Sequence, residues 1–198
     1  LADQIGAMNM VYGILSALYH REKTGEGQKI EVNLLAGMLA HLGQEYVAVL
    51  NLGQDLVRPN SGIGHPGMQA PFGIYETSDG KYVSIAMSPY KTLYETLEAP
   101  HLAVYDDLKT LFDKRDEVWE KVNAETKKFE RDELLARLLA ADIWCAAIND
   151  IRAASNDPAV VHGRMLTSYE HPVAGTVRVV APAVKMSATP ATIERPAP

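Results

Sequence analysis

Apolar residues recur through the first twenty positions with almost no polar face between them. Ile5, Met8, Met10, Val11, Ile14, Leu15 and Leu18 cover nearly the full circumference of a helix from about Gln4 to Arg21. That pattern predicts a helix buried on most sides, and Gly6, Ala7, Gly13 and Ala17 permit close approach of its neighbours. Gly25 and Gly27 supply a C-terminal turn, and Lys29-Ile30-Glu31-Val32 reads as a short strand. Leu34 to Leu50 predicts a second helix, with Leu35, Leu39, Leu42, Tyr46 and Leu50 spaced for one face. Helix, strand, helix implies an α/β layer.

Between Leu52 and Pro71 the chain carries four glycines and three prolines with little apolar periodicity, which predicts a long irregular connection. Beyond it, Gly73-Ile74-Tyr75-Glu76-Thr77 and Lys81-Tyr82-Val83-Ser84-Ile85-Ala86 flank Ser78-Asp79-Gly80, the turn chemistry of a tight β-hairpin. From Tyr90 to Ala140 a string of helical segments follows. Their charge runs, Asp113 to Glu117 and Lys127 to Glu133, read as solvated helix faces or turns. Asn156-Asp157-Pro158 opens a short helix, Met165 to Tyr169 and Thr176 to Val180 read as strands, and the tail from Pro190 reads as extended coil.

Composition narrows the function classes. The 198 residues are 47% hydrophobic, ample for a core, and the net charge of −6 comes from acids and bases that are interspersed. Neither nucleic acid nor an anionic membrane surface is an expected partner, which leaves small molecules or proteins. The single cysteine, Cys145, lies in the apolar run Ile143 to Ile148 and is expected to be a buried, inert thiol. Six histidines without C-x-x-C or H-E-x-x-H spacing predict no metal site. No apolar stretch reaches membrane-spanning length, and cysteine scarcity favours the cytoplasm, with any targeting segment lying upstream of Leu1.

Asp3 is the main candidate for chemistry. A carboxylate at a helix N-terminus feels free backbone N–H groups and the positive end of the helix dipole, so it stays ionised and oriented at neutral pH. Taken alone, such an aspartate reads as a structural N-cap rather than a nucleophile, because Asp is a preferred capping residue and most helix-capping aspartates do no chemistry.

Its surroundings bear on that choice. Leu1-Ala2-Asp3 is followed by Gly6, Gly13 and Ala17, then by Arg21-x-x-Thr24-Gly25-x-Gly27-Gln28. Pro59 to Pro66 leads into Ala70-Pro71-Phe72-Gly73, and Ile148 to Ile151, Asn156-Asp157-Pro158, His171-Pro172-x-x-Gly175 and Ala181-Pro182 come later in order. Together these stretches resemble the family III CoA-transferases, the group of the formyl-CoA:oxalate and carnitine enzymes.

The resemblance implies that 1–51 is a segment of a larger Rossmann-like domain and 52–71 a linker with a glycine-rich loop. It further implies a small α+β domain over 72–168 and a return segment over 169–198. Family members are longer, with most coenzyme A contacts in an N-terminal portion that this chain lacks, and they form interlocked homodimers. By this resemblance the chain alone is expected to be inactive. Asp3 falls on the nucleophile, which attacks an acyl-CoA thioester to give a mixed anhydride and then an aspartyl-CoA thioester. The substrates implied are acyl-CoA and a free carboxylic acid, with coenzyme A as co-substrate and no permanently bound cofactor.

Substrate-facing positions follow from the same resemblance. Gly62, Gly64, His65 and Gly67 stand where the transferases carry a glycine-rich segment over the reacting centre, and Leu34 where they place an apolar pocket residue. Each has a plainer reading. The loop can be an interdomain connection, His65 a surface residue and Leu34 a core residue. The related α-methylacyl-CoA racemases use the equivalent aspartate as a base and carry a glutamate where Ser88 stands here, a change that removes a carboxylate from that chemistry. A non-catalytic assembly module is the third reading.

Overall fold

A computed structural model of the chain describes residues 1–53 and 55–195. It divides into two compact units, Leu1–Arg58 and Pro59–Pro198.

The first unit holds three helices: α1 (Ala2–Thr24), α2 (Leu34–His41) and α3 (Gly43–Leu52). α1 stops where Gly25 takes φ 78° and its N–H donates to the Arg21 carbonyl at 2.8 Å. A side chain there would be strained, so glycine ends the helix. The strand expected over 29–32 does not form. Among the described residues that segment has no sheet partner for its backbone groups, and Ile30 instead turns onto α1, its Cγ2 lying 2.9 Å from where a Cβ on Gly13 would stand. Asn33 caps α2, its Oδ1 accepting from the Ala36 N–H at 3.1 Å. The single helix expected from Leu34 to Leu50 is divided at Leu42 (φ −95°, ψ 22°), immediately before Gly43, the poorest helix former available short of proline.

Small residues set the crossing of α1 and α2. A Cβ on Gly37 would lie 3.0 Å from Asn9 Nδ2 and 3.2 Å from Ile5 Cγ2, and one on Gly6 would lie 2.2 Å from Leu34 Cδ2. This single crossing buries only Ile5 and Gly6 of α1, so the expectation of burial on most sides is not met within the chain. Val11, Tyr12, Leu15 and Tyr19 are more than half exposed.

The second unit is built on an antiparallel sheet of order β1-β2-β3, from β1 (Gly73–Glu76), β2 (Tyr82–Ile85) and β3 (Cys145–Ile148). The expected hairpin is present, with Gly80 at φ 70° in its turn and the Thr77 N–H donating to the Lys81 carbonyl at 2.9 Å. Alternation sends Tyr75, Val83 and Ile85 into the core. There they meet the helices that run from Tyr90 to Ala140: α4 (Tyr90–Thr96), α5 (Leu108–Asp113), α6 (Arg115–Thr126) and α7 (Arg131–Ala140). Leu93, Leu97, Val118, Val122, Leu134 and Leu138 complete this cluster. After it come α8 (Ile151–Ala154), α9 (Pro158–His162) and a two-stranded antiparallel ribbon, β4 (Leu166–His171) with β5 (Gly175–Val180).

α6 closes the outer edge of β1 with side chains rather than with another strand. Trp119 Nε1 donates to the Ile74 carbonyl at 2.9 Å, Asn123 Oδ1 accepts from the Glu76 N–H at 2.8 Å, and Thr126 Oγ1 donates to the Glu76 carbonyl at 2.8 Å. Positions 119, 123 and 126 lie on one helical stripe, which is why one helix face can follow one strand edge. The remaining N–H, that of Ile74, donates to the Gly62 carbonyl at 2.9 Å. Ile63, bridged to Gly73, and Ala70 are both buried in this unit.

Two predictions follow from the hairpin. A Cβ on Gly73 would stand 2.7 Å from the Gly62 carbonyl oxygen, a backbone atom that cannot swing aside. Gly73→Ala should therefore lower unfolding stability by about 1–3 kcal/mol in urea titration, and an unchanged midpoint would contradict the packing described. The second concerns Asp79, whose carboxyl is held well below the usual carboxylate range, first by the Lys81 ammonium (2.8 Å) and then by the Thr77 hydroxyl (2.7 Å). A lowered pKa contributes stability that is present above the ordinary carboxylate range and lost as pH falls through the folded value. Asp79→Asn should be less stable than the parent at pH 7, with the gap closing below about pH 4. A gap that stays constant down to pH 2 would refute this assignment.

Candidate active site

Asp3 sits in the first turn of α1, but it is not the cap. The helix begins at Ala2, Leu1 occupies the N-cap position, and no side chain caps this end. The expected capping role is therefore absent, because a residue already inside the helix cannot fold its carboxylate back onto the first free N–H groups as an N-cap does. The field at this end remains. Asp3 lies within the turn of unsatisfied N–H groups, while Arg21 and Lys23 occupy the negative end of the same helix. Its side chain is exposed, and among the described residues it has no hydrogen bond or ion pair.

The fold brings Leu34 to this turn. Gly6 lies three residues after Asp3 and so on the same face of α1. The Leu34 methyl fills the space that a side chain on Gly6 would need. Leu34 is the first residue of α2, placed by the Asn33 cap, and is 48% exposed, with one methyl packed against Gly6 of α1. The small residue at position 6 is the sequence signal that makes this juxtaposition possible.

Gly62, Gly64, His65 and Gly67 come together in the second unit as a folded loop laid against β1. A Cβ on Gly62 would meet the Ile74 carbonyl oxygen at 2.6 Å and Trp119 Nε1 at 2.7 Å, and one on Gly64 would meet Phe72 Cε1 at 2.8 Å. These glycines are required by close approach to the strand and its covering aromatic rings. The Gly64 N–H donates to the Phe72 carbonyl at 3.0 Å, and the Gly67 N–H donates to His65 Nδ1 at 3.0 Å. Both N–H groups are thus engaged inside the loop in this conformation. His65 is half-buried and accepts through Nδ1.

Two residues that carry this loop were not singled out by sequence reasoning. Asp116, at the start of α6, accepts from the Ser61 N–H at 3.1 Å and the Asn60 N–H at 3.4 Å. Hydrogen bonding from Ser61 holds its carboxyl below the usual range. Trp119 covers Gly62 from the other side and stacks on Tyr75, with ring centroids 5.8 Å apart. Asp116 was hidden in a charge run that looked like solvated surface; Trp119, a large aromatic in a charged helix, was the available signal.

Ser88 follows β2, and its Oγ accepts from the Trp144 N–H at 3.4 Å. Cys145 is half-buried rather than fully buried, on the less exposed face of β3, and desolvation pushes its thiol pKa up. Among the described residues no group of three or more histidine, cysteine or acidic side chains is placed to hold a metal ion. None of the described helices is long and apolar enough to cross a membrane.

Known proteins resemble this chain in sequence and in fold. The profile of "CoA-transferase family III" matches residues 1–198. The succinyl-CoA–L-malate CoA-transferase of Chloroflexus aurantiacus is similar through both subunits. Its alpha subunit is 31% identical over 79% of this chain and 37% of its own length. Its beta subunit is 30% identical over 98% of this chain and 49% of its own length. Human succinyl-CoA:glutarate CoA-transferase is 28% identical over 94% of this chain and 43% of its own length. The chain thus spans about half, or less, of these curated relatives. In fold it resembles the crystal structure of the hypothetical protein Rv3272 from Mycobacterium tuberculosis, with a TM-score of 0.77 and 15% identity over 100% of this chain and 52% of that one. With the sequence profile matched from end to end and a mixed α/β fold shared with such a structure, the chain belongs to CoA-transferase family III.

Proposed function

We propose that this chain carries the aspartate-bearing part of an enzyme that moves coenzyme A from an acyl-CoA thioester to a free carboxylic acid, with Asp3 as the nucleophile. The observation that carries this reading is the placement of Asp3: an exposed carboxylate in the first turn of α1, unpaired among the described residues, on the helix whose Gly6 packs against Leu34. An Asp3 oxygen attacks the thioester carbonyl carbon, the C–S bond breaks, and the thiolate leaves a mixed anhydride. The thiolate then attacks the aspartyl carbonyl carbon. The C–O bond to the acyl group breaks, the first acid departs as a carboxylate, and Asp3 holds coenzyme A as a thioester. An incoming carboxylate attacks that carbonyl and repeats both exchanges in reverse. Anhydride and thioester lie close in energy to the substrate, so a carboxylate nucleophile keeps each step shallow.

The first turn of α1 contributes a positive field where Asp3 must stay ionised. Leu34 supplies an apolar side that keeps water from the aspartyl carbonyl. The loop of Gly62, Gly64, His65 and Gly67 is assigned to substrate, with His65 as the residue that orients a carboxylate. The wider assembly belongs to the same reading: α1 to α3 are a section of a Rossmann-like domain, and the enzyme is a homodimer. The apolar faces that α1 leaves bare in this chain support that view. Relatives named for succinate, malate, mesaconate and glutarate make dicarboxylates the first acceptors to assay. The racemase alternative lacks its carboxylate at Ser88, whose oxygen is instead an acceptor for backbone.

In the full-length enzyme, Asp3→Asn should reduce transfer by roughly 1,000-fold or more. The fold should be unchanged, because Asp3 caps nothing here. Retained activity would reject the mechanism. Incubation with an acyl-CoA and hydroxylamine should leave a hydroxamate on the peptide containing Asp3, and its absence from the mass spectrum would count against a covalent intermediate. Exchange of the substrate α-proton with deuterated water, without transfer, would favour a racemase. An assembly module would pair stably with the preceding polypeptide yet show no exchange.

A further inference from the structure

The three carboxylates of the charge run Asp113 to Glu117 are not equivalent. Asp113 is engaged by Lys109 one turn earlier, and Glu117 by the Tyr105 hydroxyl at 2.7 Å and by Lys114 at 3.9 Å. Asp116 instead reaches back across 55 residues of chain. It stands in the first turn of α6, where the field of the helix favours its charge. Its two oxygens take two successive backbone N–H groups, that of Ser61 at 3.1 Å and that of Asn60 at 3.4 Å. The Ser61 side chain adds a further hydrogen bond to the same carboxylate.

Both N–H groups lie immediately before Gly62, and from there the loop is fixed residue by residue. The Gly62 carbonyl accepts from the Ile74 N–H at 2.9 Å, Ile63 is buried, and the Gly64 N–H donates to the Phe72 carbonyl at 3.0 Å. His65 is the next residue, so the backbone held before it sets the direction in which it leaves β1. The contacts with β1 begin at Gly62; Asn60 and Ser61 are held by Asp116. Nor does α6 require this contact for its own placement, since Trp119, Asn123 and Thr126 already fasten that helix to β1. Hydrogen bonds to an ionised carboxylate are stronger than neutral ones. A loop without them would have to be ordered as substrate arrives, at the expense of binding.

We propose that Asp116 is a positioning residue: by holding Asn60 and Ser61 it sets the loop in the conformation from which His65 orients the substrate carboxylate. This rests on the assignment of the loop and His65 to substrate under the proposed function, and Asp116 itself touches no substrate.

Steady-state transfer by the full-length enzyme, with succinyl-CoA as donor and malate, mesaconate and glutarate as acceptors, tests this. Asp116→Asn keeps the volume but only one of the two acceptor oxygens, and should raise KM for the acid about 10-fold with kcat within about 2-fold of the parent. His65→Ala should raise KM as well. Because Asp116 acts through His65, adding Asp116→Asn to His65→Ala should change KM by no more than about 2-fold further. A KM raised in His65→Ala but unchanged in Asp116→Asn would overturn this inference and leave the proposed function standing. Single effects that multiply in the double variant would overturn it too, since they would mark Asp116 as acting independently of His65. An unchanged KM in His65→Ala, or a parent that transfers to none of the three acids, would overturn it together with the substrate assignment beneath it. Should Asp116→Asn fail to fold, Ser61→Ala takes its place. Removing that one hydroxyl should raise KM about 3-fold, and an unchanged KM would refute the role of Asp116.

Discussion

The outer edge of β1 is the constraint on which the second unit depends. A four-residue strand with one bare edge exposes polar backbone groups that must be bonded once they are covered. Here Trp119, Asn123 and Thr126 of α6 bond that edge, and the Gly62 carbonyl takes the remaining N–H. The helix could not lie so close if the loop between them carried side chains, which is why Gly62 and Gly73 face each other across less than a methyl group's width. The same interaction therefore orients α6, closes the core over Tyr75 and places the loop that carries His65.

This gives the glycine-rich loop a character that composition alone obscures. Glycine and proline in an irregular stretch suggest freedom, yet this loop is held at its start by Asp116, along its length by β1 and at its turn by His65. Its glycines serve close approach more than motion. A loop held in this way has a defined geometry rather than that of a loose connection.

The first unit shows the opposite economy. α1 is apolar around its circumference but, among the described residues, buries only Ile5 and Gly6, at the crossing with α2 that Gly6 and Gly37 permit, while Gly13 admits Ile30. Val11, Tyr12, Leu15 and Tyr19 stay more than half exposed on it, an apolar surface far larger than the crossing covers among the described residues. The curated relatives compared are about twice the length of this chain. Asp3 lies exposed in the first turn of the same helix.

Local chemistry was legible wherever it is decided by a few neighbouring residues. The stop at Gly25, the Asp157 cap, the hairpin around Gly80 and the ribbon strands all follow from backbone preferences and alternation that the sequence displays directly. The family was legible too, because its motifs recur in order along the chain. Tertiary structure decided what depends on partners distant in sequence. Lys29–Val32 has strand composition but no strand to pair with; the run to Leu50 is helical yet divides at Leu42; Asp3 lies inside its helix rather than capping it. Asp116 and Trp119 acquire their role only when α6 packs on β1, some 45 residues away in the chain from Ile74. The physical reason is common to all of these: a residue's preference is local, but whether its polar groups are bonded and its apolar surface covered is settled only by what the fold brings against it.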